Sequence, residues 1–195
     1  SMKLKVFDIR DSSWSTTLYE DDAISWCQAG TLLLNYPVLY RSNGKTLNMY
    51  NVENSVNLIN RYGIYRDDVV QNYNHVAYYN RKTALITICD LFSEQPDTYL
   101  FKEHLDELYQ IILKDQKLFL NYTYLNQPYI EYYDTSVYPY QLIDTVEGFY
   151  YNIKLIGEYL YASRNENTLN INYVWHIEDN SLEYITQFNG NIQNT

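Results

Sequence analysis

His75, His104 and His176 are the first residues to test for chemistry. They stand in NYNHVAY, FKEHLDE and YVWHIED, with no HxxxH or HxH spacing. A zinc site needs a full set of N, S or O donors at matched spacing. His104 and Glu107 would share one face of a helix, but a pair does not make a site, so no metal is expected. Cys27 and Cys89 belong to no CxxC or Cys/His grouping and sit among apolar neighbours (ISWCQAG, ITICDLF). Buried reduced thiols are expected, and with them a cytoplasmic setting. Either would become a nucleophile only if the fold carried His75 to it. There is no GxSxG elbow. The 6 glycines are isolated, so no loop cradles a phosphate.

Carboxylates are the remaining candidates. Glu131, Asp134, Asp144 and Glu147 fall in or between strand-like runs, and Glu178 and Asp179 end another. A metal-dependent nuclease needs converging acids with a lysine beside them. Lys154 stands two positions from Asn152, not from an acid, so that pairing is missing. A carboxylate-based hydrolase or nuclease is therefore only an alternative. No catalytic residue and no cofactor is expected.

Recognition has a stronger basis than catalysis. The chain has 24 Tyr against 6 Phe, and the stretch YIEYYDTSVYPYQLIDTVEGFYYNIKLIGEYLY, from Tyr129 to Tyr161, holds many of them. Tyr packs as an aromatic but needs a hydrogen-bond partner when buried. Tyr and Asn together give rigid contact area with adaptable hydrogen bonding, as in antibody paratopes. Tyr132, Tyr150, Tyr159 and Asn152 are the candidate binding residues. The function expected is a non-catalytic protein-binding module that occludes or assembles a partner through a Tyr/Asn-rich acidic surface. The alternative in the same vein is a small-ligand or glycan binder with an aromatic cleft.

Net charge is −10, from 14 Lys+Arg and 24 Asp+Glu. That opposes bulk nucleic acid and anionic membranes, which need cationic contacts, and suits a basic protein partner. Tyr-rich strands showing one face to water would also suit a second copy of the chain, giving a homo-oligomer. No apolar run reaches a membrane span. Tyr, Asn and Ile have AT-rich codons, which points to a low-GC source, a phage or other mobile element among them.

The elements that must position these residues read as one α+β domain over 1–195: an N-terminal strand, a hairpin and helices packed on a C-terminal antiparallel β-meander. The helix-rich part covers about 11–116 and the sheet about 117–190. Lys3 to Arg10 is a strand. The capping box Thr17-Leu-Tyr-Glu20 opens a helix over about 18–29. Leu32–Arg41 and Thr46–Val52 flank Asn43-Gly44 as a hairpin, with Pro37 at an edge or bulge. A helix face carries Val56, Ile59 and Tyr62. Two helices are expected over 67–94, although TALITIC (83–89) also reads as a buried strand. Asp97 caps a further helix with Phe101, Leu105, Leu108 and Ile112 inside. From Lys117 the period becomes two. Leu169, Ile171, Tyr173, Trp175 and Ile177 should face the core, with Asn170, Asn172 and His176 more exposed. Gly157 should mark a bulge. No internal repeat is visible.

Overall fold

The computed structural model describes residues 2–4, 7–8, 12–14, 19–21, 31–35, 38–42, 46–51, 56–62, 69–72, 75–93, 96–102, 105–166, 169–178 and 181–190. Every regular element among them is a strand. At the N-terminus β1 (Met2–Leu4) and β2 (Phe7–Asp8) precede β3 (Ser13–Trp14) and β4 (Tyr19–Asp21); β1 pairs with β4 and β2 with β3. Four antiparallel sheets of four strands follow, each a meander in chain order. The first holds β5 (Thr31–Asn35), β6 (Val38–Ser42), β7 (Thr46–Asn51) and β8 (Val56–Tyr62). The second holds β9 (Val69–Asn72), β10 (His75–Asn80), β11 (Leu85–Asp90) and β12 (Thr98–Phe101). The third holds β13 (Glu107–Lys114), β14 (Lys117–Tyr124), β15 (Gln127–Asp134) and β16 (Gln141–Glu147). The fourth holds β17 (Asn152–Ile156), β18 (Tyr159–Glu166), β19 (Leu169–Ile177) and β20 (Leu182–Asn189).

β13 lies beside both β9 and β17, so the first strands of three successive sheets adjoin. The last strands, β12, β16 and β20, are the most exposed of their sheets. Four-stranded meanders with inner first strands and outer fourth strands, stacked face to face, are the blades of a β-propeller-like architecture.

The α+β expectation is therefore wrong. The helix read over 18–29 has a strand at Tyr19–Asp21, and residues 22–30 lie outside the described residues. Val56–Tyr62 is β8, paired with β7. The two helices of 67–94 are β9, β10 and β11, with TALITIC a buried strand. The helix after Asp97 is β12 and β13. One four-strand unit recurs four times, although no internal repeat is visible in the sequence. Helical spacing misled for a physical reason. A bulge between Leu108 and Gln110 shifts the register of β13, so Leu108 and Ile111 are buried three apart, a step that mimics a helix face, before Leu113 resumes the strand period.

The sheets meet through apolar clusters. Met49 of the first blade packs with Val76, Tyr78 and Cys89 of the second. Ala77, Tyr79, Ile86 and Ile88 of the second meet Leu108, Leu118 and Leu120 of the third. Phe119, Ile130 and Tyr132 of the third meet Ile153, Leu160 and Trp175 of the fourth. Buried polar groups bridge the same seams, as burial requires. The Gln110 amide donates to the Ile153 carbonyl at 2.8 Å and accepts from the Ile153 N–H at 2.9 Å, extending β13 toward β17 like an extra backbone pair. Asn121 Nδ2 donates to the Tyr150 carbonyl at 2.7 Å.

The alternation read for β19 holds for Ile171, Trp175 and Ile177, which are buried, but Leu169 is exposed. Asn172, expected outside, is fully buried. It accepts from Ser163 Oγ at 2.7 Å and donates to the Gly190 carbonyl at 2.6 Å, which removes the desolvation cost that made burial unexpected. Gly157 is not a bulge. It sits with φ 59 in the tight turn that joins Ile156 to its partner Tyr159.

Candidate functional site

The second and third blades leave an aromatic cleft where β12 ends. It has a volume of about 490 Å³ and is lined by Phe101, Leu105, Tyr122, Tyr124 and Tyr129 over a floor of Lys102 and Glu131. Period-two alternation on β14 and β15 sends Tyr122, Tyr124, Tyr129, Glu131 and Tyr133 to one face, and Tyr122 stands opposite Tyr129 in the register. Their rings lie 5.7 Å apart. Phe101 closes the outer side and is 66% exposed, while Tyr122 is buried.

The floor is a closed polar network. Lys102 Nζ donates to Glu131 Oε2 at 2.6 Å, to Tyr122 Oη at 3.1 Å and to Tyr133 Oη at 3.3 Å. Tyr133 donates to the same carboxylate oxygen at 2.7 Å. Nζ also lies 4.8 Å from the Tyr122 ring centroid, within cation–π range. Burial, reinforced by the Glu131 carboxylate, pushes both phenols far above their ordinary pKa, so they stay protonated donors. Glu131 and Lys102 satisfy each other across the seam between two blades. Two acids stand nearby without lining it: Glu147 is opposite Tyr129 on β16, and exposed Asp106, next to Leu105, accepts the Asn126 N–H at 2.8 Å.

A second cavity of about 430 Å³ opens on the same seam, with His75, Cys89, Asp90 and Tyr140 among its lining residues. The fold thus brings Cys89 and His75 to one cavity, as a nucleophile reading would require. Cys89, however, is buried inside the apolar contact with Met49. Cys27 and His104 lie outside the described residues.

The other acids are spread through the sheets as acceptors. Asp134 caps the Ser136 N–H at 2.8 Å, which with the Ser136 hydroxyl holds its carboxyl below the usual range. Asp144 accepts the Leu182 N–H at 2.7 Å and ties the third blade to β20. Among the described residues the grouping with metal-ligand spacing is His176, Glu178 and Glu183. His176 Nδ1 is 2.8 Å from Glu178, and Nε2 is 3.7 Å from Glu158.

The candidate binding residues are separated. Tyr132 is core, stacked on Phe119 at 4.7 Å and nearly parallel. Tyr150 is core too, edge-on to Tyr173 and Trp175. Tyr159 is 41% exposed and Asn152 is half-buried. These two share the face of the fourth blade that points away from the third. Phe101, Lys102, Tyr124 and Tyr129 were not legible as a site, because Phe101 and Leu105 were placed on a helix face. Cross-strand pairing of YTY with YIEYY around a tight turn was the signal available.

No protein-family model matches the chain, and no curated protein matches it in sequence. Solved structures do match in fold. Hsv2 from Kluyveromyces lactis superposes with a TM-score of 0.51 at 16% identity, over 78% of this chain and 46% of that one. Hsv2 from Kluyveromyces marxianus gives 0.52 at 16% identity, over 78% and 49%. A Saccharomyces cerevisiae structure of Dbp5 bound to Nup159, Gle1, IP6 and ADP gives 0.50 at 9% identity, over 79% and 46%. The likeness is one of fold. This chain spans about half the length of the chains it resembles.

Proposed function

We propose that this protein is a non-catalytic protein-binding module that takes a basic partner segment at the aromatic cleft between its second and third blades. The observation that carries the reading is the cleft: exposed Phe101 and half-buried Tyr124 and Tyr129 surround a floor whose charges are already paired. Concave, mostly apolar sites with a few fixed polar groups are binding sites, and aromatic anchors dominate protein interfaces. Glu147, opposite Tyr129 on β16, and the net charge of −10 favour a cationic segment. The S. cerevisiae fold relative, in which Dbp5 is bound to Nup159, supports a protein partner. A cytoplasmic setting belongs to the same proposal and rests on the cysteine usage of the sequence; cell fractionation tests it. Composition alone favours a phage or mobile-element source.

The test is selection of peptides from a random library on the native protein, with affinities then measured on Phe101→Ala and Tyr129→Ala variants. Basic peptides should dominate, and each substitution should weaken them by about 2 kcal/mol, roughly thirtyfold. Binding that survives both substitutions would remove the cleft from the account. A second reading, a small-ligand or glycan site, is favoured by the concavity itself. Capture of a glycan on an array, lost in the same variants, would establish it instead.

A further inference from the structure

The seam between the second and third blades opens at both ends. The aromatic cleft lies where β12 ends, and the cavity of about 430 Å³ lies where β12 begins. Strand alternation builds the second-blade wall of that cavity. Val70, Ala77 and Ile88 form one row across β9, β10 and β11, on the face that packs against the third blade. Two residues further along each strand, Asn72, His75 and Asp90 form the next row on the same face. The apolar contact gives way there to polar groups. The third blade contributes Asp115 and Gln116, in the turn between β13 and β14, and Thr135, whose N–H donates to the Gln116 carbonyl at 2.8 Å. Tyr140 closes one side through the hydrogen bond it shares with Thr98.

The lining sets the class of ligand. It carries a carboxylate from each blade, Asp90 and Asp115, and among the described residues it holds no Lys or Arg. Asp90 Oδ1 accepts the Phe92 N–H at 3.0 Å, so Oδ2 remains for a ligand. The side chains of Asn72, Asp115 and Gln116 make no hydrogen bond to any described residue. Ile88, Leu113 and Pro96 add apolar surface. We infer that this cavity binds a short aliphatic polyamine. One ammonium pairs with Asp90 and another with Asp115, and the methylenes between them lie on the apolar surface. An ammonium offers three donors and no acceptor, so the amide oxygens of Asn72 and Gln116 can take its remaining N–H groups. An anion would meet two carboxylates and no cation. The net charge of −10 steers a polycation toward the molecule. This cavity is separate from the aromatic cleft, and the inference does not rest on the function proposed for the cleft.

Calorimetric titration of the full chain with spermidine tests the inference. Binding should saturate and should weaken as salt rises. Asp90→Asn and Asp115→Asn should each weaken it by about tenfold or more. Asn keeps an acceptor for the Phe92 N–H at position 90, and at position 115 it tolerates the φ of 48. Glu183→Gln removes a charge from an exposed site on the fourth blade and should leave the affinity unchanged. Phe101→Ala, in the cleft, should do the same. Equal weakening by Glu183→Gln would mean diffuse attraction to an acidic surface and would overturn the inference. Weakening by Phe101→Ala, with both Asn variants unchanged, would move the polyamine to the cleft and overturn it too. So would the absence of binding at millimolar spermidine. NMR on the wild-type chain gives a readout that needs no variant. Spermidine should shift the amides of Asn72, Asp90, Asp115 and Gln116, and shifts confined to other residues would contradict the site.

Discussion

At the scale of single residues, the abundance of tyrosine is explained by hydroxyls that reach partners inside or beside the sheets. Tyr133 donates to Glu131 and Tyr122 accepts from Lys102. Tyr140 and Thr98 share a short hydrogen bond. Tyr173 donates to Glu166 at 2.5 Å, which with burial pushes its phenol up to about 12. Phe could replace the packing but not these bonds. Removing one partner of the buried Lys102–Glu131 pair should be costly. Lys102→Met is expected to destabilise the fold by about 3–5 kcal/mol in denaturant titration, because it strands the carboxylate. The double change with Glu131→Leu should recover most of that loss. His176 offers a test by pH. Its hydrogen bond to Glu178 raises its pKa above the ordinary imidazole value, helped by Glu158. The stabilisation this gives is fully present below the ordinary value and fades as pH rises through the raised one. NMR titration of Glu178→Gln should show the imidazole pKa move down; an unchanged value would remove Glu178 as the cause.

At the scale of elements, turns decide what could be read. Most strands from Lys117 onward were legible because alternation is sustained in runs such as LNINYVWHI, but β16 was not read as a strand. The pairing of β6 with β7 was legible from the Asn43-Gly44 turn signal, but the single strand read over Leu32–Arg41 is two, β5 and β6, paired with each other. The turn between β13 and β14 carries Asp115 and Gln116 at φ 48 and 63, and the next carries Leu125 and Asn126 at φ 50 and 60. Neither has a glycine, so neither punctuated the sequence. The bulge between Leu108 and Gln110 lent β13 a helical spacing, so it was read together with β12 as one helix. The cleft was lost with it, since its walls come from β12, β14 and β15. Leu125 is an L-residue with a branched apolar side chain held in the left-handed region, which costs of order 1 kcal/mol. Leu125→Asn should raise stability by about that amount, read as a higher denaturant midpoint. Gly148→Ala should do the reverse: its φ is 137, and a Cβ there would meet the Tyr150 ring at 3.0 Å.

At the scale of the molecule, one supersecondary unit is repeated with almost no repeated sequence. Each blade solves its seam differently: Lys102 with Glu131 at one, Gln110 and Asn121 at the next. The period is therefore structural, and self-similarity in the sequence could not have disclosed it. Tyr132 and Tyr150 show the same limit for the site. A strand places a tyrosine inside or outside by a single step, and which face is covered depends on the neighbouring blade. Removing that blade contact would expose both rings together. The central functional claim is that the cleft between the second and third blades holds the partner. Amide hydrogen exchange, measured with and without a selected basic peptide, tests it most directly. The account predicts new protection concentrated at 101–105 and 122–131. Protection confined to the fourth blade, or spread evenly over the chain, would contradict it.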